Sequence, residues 1–352
     1  MEPVRRAVID VGTNSVKLLV AEVAGHEIQP FCEQSKQTRL GHGFYETRLL
    51  QPEAIAATAS AVAAFAAMAR EAQAVSIRVL ATSAAREAVN REELIAAIER
   101  AAGVKVEVIS GEQEAELGFQ GVTTDPQLAQ ASILLMDVGG GSAQFILGRA
   151  GGQPVRYSFP LGSVRLLETL PCSDPPKAAE LAACHQWLTE FLQKEVRPSL
   201  VREMGGRRQE IGAEVQLVGV GGTATILACM EAKLEAFDRA RIEATRLSAA
   251  RVAWHLERLW SLPLEERKKT VGLPKNRADL ILMGVAIYQA VMEEFGFREL
   301  RISTRGLRFA AVIGGGIRNL SSEAPTASGA ALRRAPAPDL PQGFNSSQAQ
   351  SS

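Results

Sequence analysis

One pattern occurs twice in this chain. An apolar strand ends in Asp-x-Gly, a short turn rich in glycine and hydroxyl residues follows, and two more strands precede alternating helices and strands. The first copy runs Val4 to Val11, turns at Gly12-Thr13-Asn14-Ser15, and continues through Val16 to Val23 and Glu27 to Gln34. The second runs Ser132 to Val138, turns at Gly139-Gly140-Gly141-Ser142, and continues through Ala143 to Gly148 and Val155 to Phe159. Two strands joined by so short a turn make a β-hairpin. The recurrence reads as an internal duplication, and the alternation of strands and helices argues α/β domains with mixed sheets.

The intervening segments fit this scheme. Helical patterns cover Gln51 to Ala72, Arg91 to Ala101 and Gly111 to Gly121, with strands at Val75 to Thr82 and Val104 to Ile109. In the second half, helices are expected at Leu161 to Leu170, Pro176 to Arg202, Gly222 to Glu231, Ser248 to Trp260, Arg277 to Phe295 and Gly306 to Ile317. Strands are expected there at Glu214 to Val220 and Glu299 to Ser303. The polar stretch Thr123-Thr124-Asp125-Pro126 marks the boundary, giving domains at 1–124 and 125–320. From Ser321 onward the chain is aperiodic and rich in Ser, Ala, Pro and Gln, so 321–352 reads as a disordered tail. At 352 residues, two domains with real cores are the default.

Charge excludes some classes. Lys plus Arg and Asp plus Glu both number 39, so bulk charge gives no reason to expect nucleic-acid or membrane binding. An anionic ligand would need a local basic groove. Cys32, Cys172, Cys184 and Cys229 lack CxxC spacing and read as free thiols in a reducing compartment. No signal h-region and no apolar run long enough to span a bilayer stand out. The expected location is cytoplasmic.

Three glycine-rich turns follow apolar strands: Gly12 to Ser15, Gly139 to Ser142, and Gly221-Gly222-Thr223. Glycine lets backbone N–H groups approach an anion closely, and Thr13, Asn14, Ser15, Ser142 and Thr223 add side-chain donors. Phosphate suits such donors, and the third turn opens a helix whose N-terminus favours an anion. Asp10 and Asp137 end the first strands of the two copies and are suited to hold Mg²⁺ facing those phosphates. None of the turns matches the P-loop or the dinucleotide fingerprint.

Other candidates have two readings each. Ser110-x-x-Gln113 fits a capping box, and Glu112 and Glu114 suit a helix's first turn; beside phosphate loops, a carboxylate there would instead take a proton from water. Arg86 is either a solvated helix cap or a guanidinium fork on phosphate. Arg165, Arg305 and Arg308 are weaker candidates of the same kind, and Lys268, Lys269, Lys275 and Arg277 form either a basic rim or a solvated face.

The ordered segments "IDVGTNSVKLLV", "ATSAAREAVN", "ISGEQEAELGFQGV", "DVGGGSAQFILG", "FPLGSVRLLE", "VGVGGTATILA" and "NRADLILMGVAI" together resemble the exopolyphosphatase and guanosine pentaphosphate phosphohydrolase (Ppx/GppA) family. The resemblance spans roughly residues 5 to 315. It implies two actin-like (ribonuclease H-like) domains closing over a cleft, in the short two-domain form. It implies that Glu114 is the catalytic base, that Asp137 and the loops Gly12 to Ser15 and Gly139 to Ser142 hold phosphate and Mg²⁺, and that Arg86 contacts phosphate. In place of the Glu usual after the second loop stands Ala143-Gln144, which puts a neutral oxygen at a position expected to help hold metal. "STRGLRFAAV" likewise departs from the family pattern.

The expected activity is Mg²⁺-dependent release of orthophosphate from inorganic polyphosphate. The alternative substrate is guanosine pentaphosphate (pppGpp). A kinase on the same fold and a non-hydrolysing alarmone- or polyphosphate-binding regulator are the alternatives of other classes. Zero net charge argues against nucleic-acid and membrane partners; a homodimer stands as a candidate assembly.

Overall fold

The computed structural model describes residues 2–148, 154–203 and 215–314. The first copy of the pattern builds a five-stranded sheet from β1 (Val4–Val11), β2 (Ser15–Ala24), β3 (Glu27–Gln37), β4 (Ser76–Ala81) and β5 (Val106–Val108), in the order β3-β2-β1-β4-β5. The hairpin strands pair antiparallel, and β4 and β5 add in parallel. The second copy supplies β6 (Ile133–Val138), β7 (Ala143–Gly148), β8 (Val155–Phe159), β9 (Gln216–Val220), β10 (Arg246–Ser248) and β11 (Glu299–Ile302). Their order is β10-β11-β9-β6-β7-β8, again with an antiparallel hairpin and parallel additions. Five strands of each sheet thus share one topology, and β10 is an extra edge strand, antiparallel to β11. The expected mixed sheets are present, as is the duplication.

The helices of the first half are α1 (Phe44–Thr47), α2 (Pro52–Glu71), α3 (Ser83–Glu87), α4 (Arg91–Ala102), α5 (Gly111–Val122) and α6 (Pro126–Ala129). Those of the second are α7 (Ser163–Thr169), α8 (Ala178–Phe191), α9 (Arg197–Glu203), α10 (Gly221–Glu231), α11 (Arg239–Ala244), α12 (Ala249–Trp260), α13 (Leu264–Arg267), α14 (Ile281–Phe295) and α15 (Leu307–Ile313). The single helix expected over Pro176 to Arg202 is interrupted by a π-helical stretch at Leu192–Val196. Short elements such as α1, α3, α11 and β10 carry too few residues for a period to register. The 321–352 segment lies outside the described residues.

Strand alternation decides what each sheet face meets. In β1, Ala7, Ile9 and Val11 face a core shared with α2 and α4, whereas Val8 faces the opposite side, with Leu307, Phe309 and Val312 of α15. In β6, Leu134, Met136 and Val138 face the core around α14, whereas Ile133 and Leu135 meet Ala115 and Val122 of α5. Helices α5 and α15 pack against each other as well, so they form a layer between the two sheets. The last helix, placed by sequence in the second half, therefore packs on the first sheet. By the period of two, Asp10 shares a face with Val8, and Asp137 shares one with Leu135. Both carboxylates point into the space that α5 and α15 border.

Helix α2 is long and apolar enough to cross a membrane by length and composition, contrary to the expectation of no such run. Its Ile55, Val62, Phe65 and Ala66 are buried in the first core, which accounts for its apolar character. In the second core the Tyr288 hydroxyl is fully buried and donates towards the carbonyls of Met136 (3.2 Å) and Val220 (3.4 Å), tying α14 to β6 and β9.

Candidate active site

The two hairpin turns close identically. Gly12 N–H donates to the Ser15 carbonyl at 3.1 Å, and Gly139 N–H to the Ser142 carbonyl at 3.0 Å. Further carbonyls of both turns are claimed from behind. Thr13 O accepts from Gly41 N–H at 2.7 Å, and Asn14 O from Thr38 and Arg39 N–H at 3.1 and 3.0 Å. Gly139 O accepts from Ser163 N–H at 2.9 Å, Gly140 O from Val164 and Arg165 N–H at 2.8 and 3.0 Å, and Gly141 O from Arg165 Nε at 2.8 Å. In a trans peptide the N–H points opposite to the C=O. Holding these carbonyls back turns the amides of Asn14, Ser15, Gly140, Gly141 and Ser142 to the other side, where the cleft lies. Oriented amides of this kind attract anions.

The turns also meet. A side chain at Gly141 would be driven into the Tyr45 hydroxyl and Ser83 Oγ, which lie against Thr13 Oγ1. Gly221, with φ +81°, opens α10, and a Cβ there would strike the Asp137 carboxylate. The third turn therefore backs directly onto the second copy's aspartate.

Asp10, Gly12, Thr13, Asn14, Ser15, Glu114, Asp137, Gly139, Gly140, Gly141, Ser142, Gly222 and Thr223 line one cleft, together with Lys17, Thr82, Ser83, Ser163 and Arg277. Of the expected site residues, Gly221, Arg86 and Gln144 are not part of that lining. Gly221 sits behind Asp137. Arg86 lies behind Glu114: its Nη1 donates to the Ile109 carbonyl (2.8 Å) and to Glu114 Oε2 (3.2 Å), because a carboxylate and a free carbonyl at the end of the β5 segment draw the guanidinium inward. Gln144 stands across the hairpin from Asp137, and its amide nitrogen donates to Ser142 Oγ (2.9 Å) and Ser158 Oγ (3.2 Å). Its nearest polar partners are therefore hydroxyls beside the cleft.

The arginine and lysine candidates divide similarly. Arg165 is engaged with Gly141 O and Glu87, Arg305 with Thr124, and Arg308 with the Leu18 carbonyl. Lys268 and Lys269 pair with Glu265 and Glu266 on their own turn. Arg277 alone of that rim lines the cleft, donating to Ser15 Oγ at 2.7 Å. Sequence reasoning passed over Lys17, since in "SVKLLV" it reads as the polar position of an alternating strand. It stands opposite Asp10, at the place that Gln144 takes opposite Asp137. The signal was the internal duplication itself, which aligns the two positions.

The Ser110 to Glu114 stretch divides between a helix cap and the cleft lining. Ser110 Oγ accepts from Gln113 N–H (3.1 Å) and Gln113 Oε1 from Ser110 N–H (2.8 Å), completing the capping box. Glu114 is left over from that exchange and enters the cleft. Burial pushes its carboxyl up to about 8, with Arg86 opposing and Asp137 and Asp10 adding to the rise. Burial raises Asp10 and Asp137 as well, against the opposing charges of Lys17 and Arg308. Burial lowers Lys17, against the pull of Asp10 and Asp137.

Burial thus holds three carboxyl groups above their usual range around one cleft. Among the described residues no group of three or more His, Cys, Asp or Glu side chains is arranged to hold a metal by itself. Mg²⁺ does not require one: it binds through one or two carboxylates, with waters and substrate phosphate oxygens completing its shell. Asp10 and Asp137, hard oxygen donors bordered by hydroxyls, fit that mode.

The sequence model of the Ppx/GppA phosphatase family matches residues 19–314. Exopolyphosphatase 2 of Mycobacterium tuberculosis is 32% identical over 312 residues, covering 85% of this chain and 94% of that protein. An exopolyphosphatase structure from Cytophaga hutchinsonii superposes with a TM-score of 0.77 at 26% identity, covering 87% of this chain and 96% of that one. The Aquifex aeolicus Ppx/GppA family member superposes with a TM-score of 0.70 at 28% identity, covering 88% and 97%.

Proposed function

The chain belongs to the Ppx/GppA phosphatase family, and from that premise we propose that it is an exopolyphosphatase, a phosphoanhydride hydrolase that releases orthophosphate from the end of inorganic polyphosphate. The observation that carries this reading is the meeting of two amide-lined turns in one cleft with a Glu114 carboxyl pushed up to about 8. The terminal phosphate lies between the turns, its oxygens taken by the amides of Asn14, Ser15, Gly140, Gly141 and Ser142. Lys17 and Arg277 offset its charge from within the cleft. Glu114, ionised, accepts a proton from the water that attacks phosphorus in line with the leaving phosphate. A base poised near the working pH both accepts and releases that proton readily. Arg86 holds the carboxylate in place through its bond to Oε2.

Asp10 and Asp137 are the residues that would hold Mg²⁺. Bound there, the ion would neutralise charge on the transferring phosphoryl group. Most of the catalysis of such a transfer is positioning and electrostatics, which the two turns supply.

Polyphosphate and guanosine pentaphosphate both present a terminal phosphoanhydride to such a cleft, and the exopolyphosphatase relatives support the inorganic chain. The test is orthophosphate release from long polyphosphate, tripolyphosphate and guanosine pentaphosphate, side by side with Mg²⁺. Faster release from the inorganic chains is expected. Release from guanosine pentaphosphate alone would overturn the substrate assignment.

A further inference from the structure

Helix α7 holds the carbonyls of the second phosphate turn. Its opening amides, those of Ser163, Val164 and Arg165, take the carbonyls of Gly139 and Gly140. The third carbonyl, of Gly141, has no helix amide left to meet and is taken by the Arg165 side chain, Nε to O, at 2.8 Å. The other edge of the same guanidinium reaches across to the first half of the chain: Nη2 lies 2.9 Å from both oxygens of Glu87, on α3. Its flat face lies over the Tyr45 ring, with Cζ 4.0 Å from the centroid. Glu87 also accepts from Ser83 Oγ, a cleft-lining hydroxyl, at 3.1 Å. Alongside, Glu168, one turn further along α7, accepts from the backbone amides of Gly43 (2.7 Å) and Tyr45 (3.2 Å).

Nε, Nη2 and the flat face of this guanidinium are therefore committed, and none of these commitments is to an anion in the cleft. We propose that Arg165 is a positioning residue that makes closure of the cleft and shaping of the second phosphate turn one event. Its Nε fixes the Gly141 peptide so that the Ser142 amide faces the phosphate. It can hold that orientation only while Glu87 and Tyr45 of the first half pin the rest of the group. When the halves separate, the Gly141 peptide loses its clamp and the cradle its set of aligned donors, so hydrolysis is confined to the closed cleft. The chemistry demands arginine, because only a planar fork can serve a carbonyl on one edge and a carboxylate on the other. The proposal rests on the reading of the two turns as phosphate cradles.

The test uses Arg165→Lys, Glu87→Gln and the double variant in the full chain. Measurements are kcat and KM for orthophosphate release from tripolyphosphate, orthophosphate affinity by calorimetry, and melting temperature. Lysine keeps the charge but reaches only one of the two partners, so Arg165→Lys should fold normally and lose at least tenfold in kcat. Glu87→Gln should do the same. The double variant should be no worse than the poorer single one, because each substitution breaks the same clamp. Orthophosphate affinity should fall in each, and this readout stands even if the natural substrate proves to be something other than polyphosphate. Wild-type kcat in Arg165→Lys would overturn the proposal. So would additive losses in the double variant, or activity losses that only track melting temperature.

Discussion

Removing Arg86 should move the pH dependence of catalysis in a direction that separates two roles for this residue. Its Nη1 lies 3.2 Å from Glu114 Oε2, with the side chains 23% and 14% exposed, so the pair is only partly screened. Burial is the main reason that the Glu114 carboxyl sits near 8, and Arg86 is the first of the influences pulling it down. A charge-assisted bond of this kind is worth about 1.5–3 kcal/mol, and about 1.4 kcal/mol corresponds to one pH unit. Arg86→Ala should therefore carry Glu114 upward by about one to two units. Glu114 acts as base only when ionised, so activity rises with pH through its titration. The acid limb of kcat/KM should shift alkaline by that amount, and activity at neutral pH should fall about 10- to 100-fold, recovering at high pH. Arg86→Lys should shift the limb less. The assay is orthophosphate release across the pH range with saturating Mg²⁺. An unmoved limb with KM raised equally at every pH would refute this reasoning and return Arg86 to a direct phosphate contact.

Three further outcomes follow from the same geometry. Because burial pushes the Glu114 carboxyl up to about 8 in the folded protein, against 4.5 when exposed, its burial costs stability that grows as pH rises between those values; Glu114→Gln should be more stable to unfolding than wild type at alkaline pH, by up to about a few kcal/mol, with the gap closing in acid, and an equal gap at all pH values in denaturant unfolding would contradict it. Gln144→Glu places a carboxylate across the hairpin from Asp137 and should lower the Mg²⁺ concentration for half-maximal activity, whereas an unchanged or higher midpoint would mean that this position does not sense the metal. Gly221→Ala forces a side chain into the Asp137 carboxylate at a positive φ and should lower both activity and melting temperature; a neutral outcome would show that the third turn does not set the position of Asp137.

Legibility from the sequence followed the range of the interactions. The duplicated hairpins, the three glycine turns and the two strand-end aspartates were visible because each is local: a period of two, then residues demanded by a tight turn. The short elements were not, since α1, α3 and β10 complete no recognisable period. Long-range partnership was also hidden. Nothing in "GLRFAAV" says that α15 turns back to pack on Val8 and Leu19 of the first sheet. Nothing local distinguishes Arg165, which clamps a carbonyl, from Arg277, which lines the cleft. Lys17 was legible only by laying one copy of the repeat over the other.

The most direct measurement is Glu114→Gln, with Glu112→Gln as the control that lies in the same helical turn. Turnover of tripolyphosphate and long polyphosphate, substrate affinity and melting temperature would be determined for both. If Glu114 is the base at the meeting point of the two phosphate turns, kcat falls by about 10²–10⁴ while substrate still binds, and Glu112→Gln stays near wild type. Normal turnover in Glu114→Gln would contradict the account.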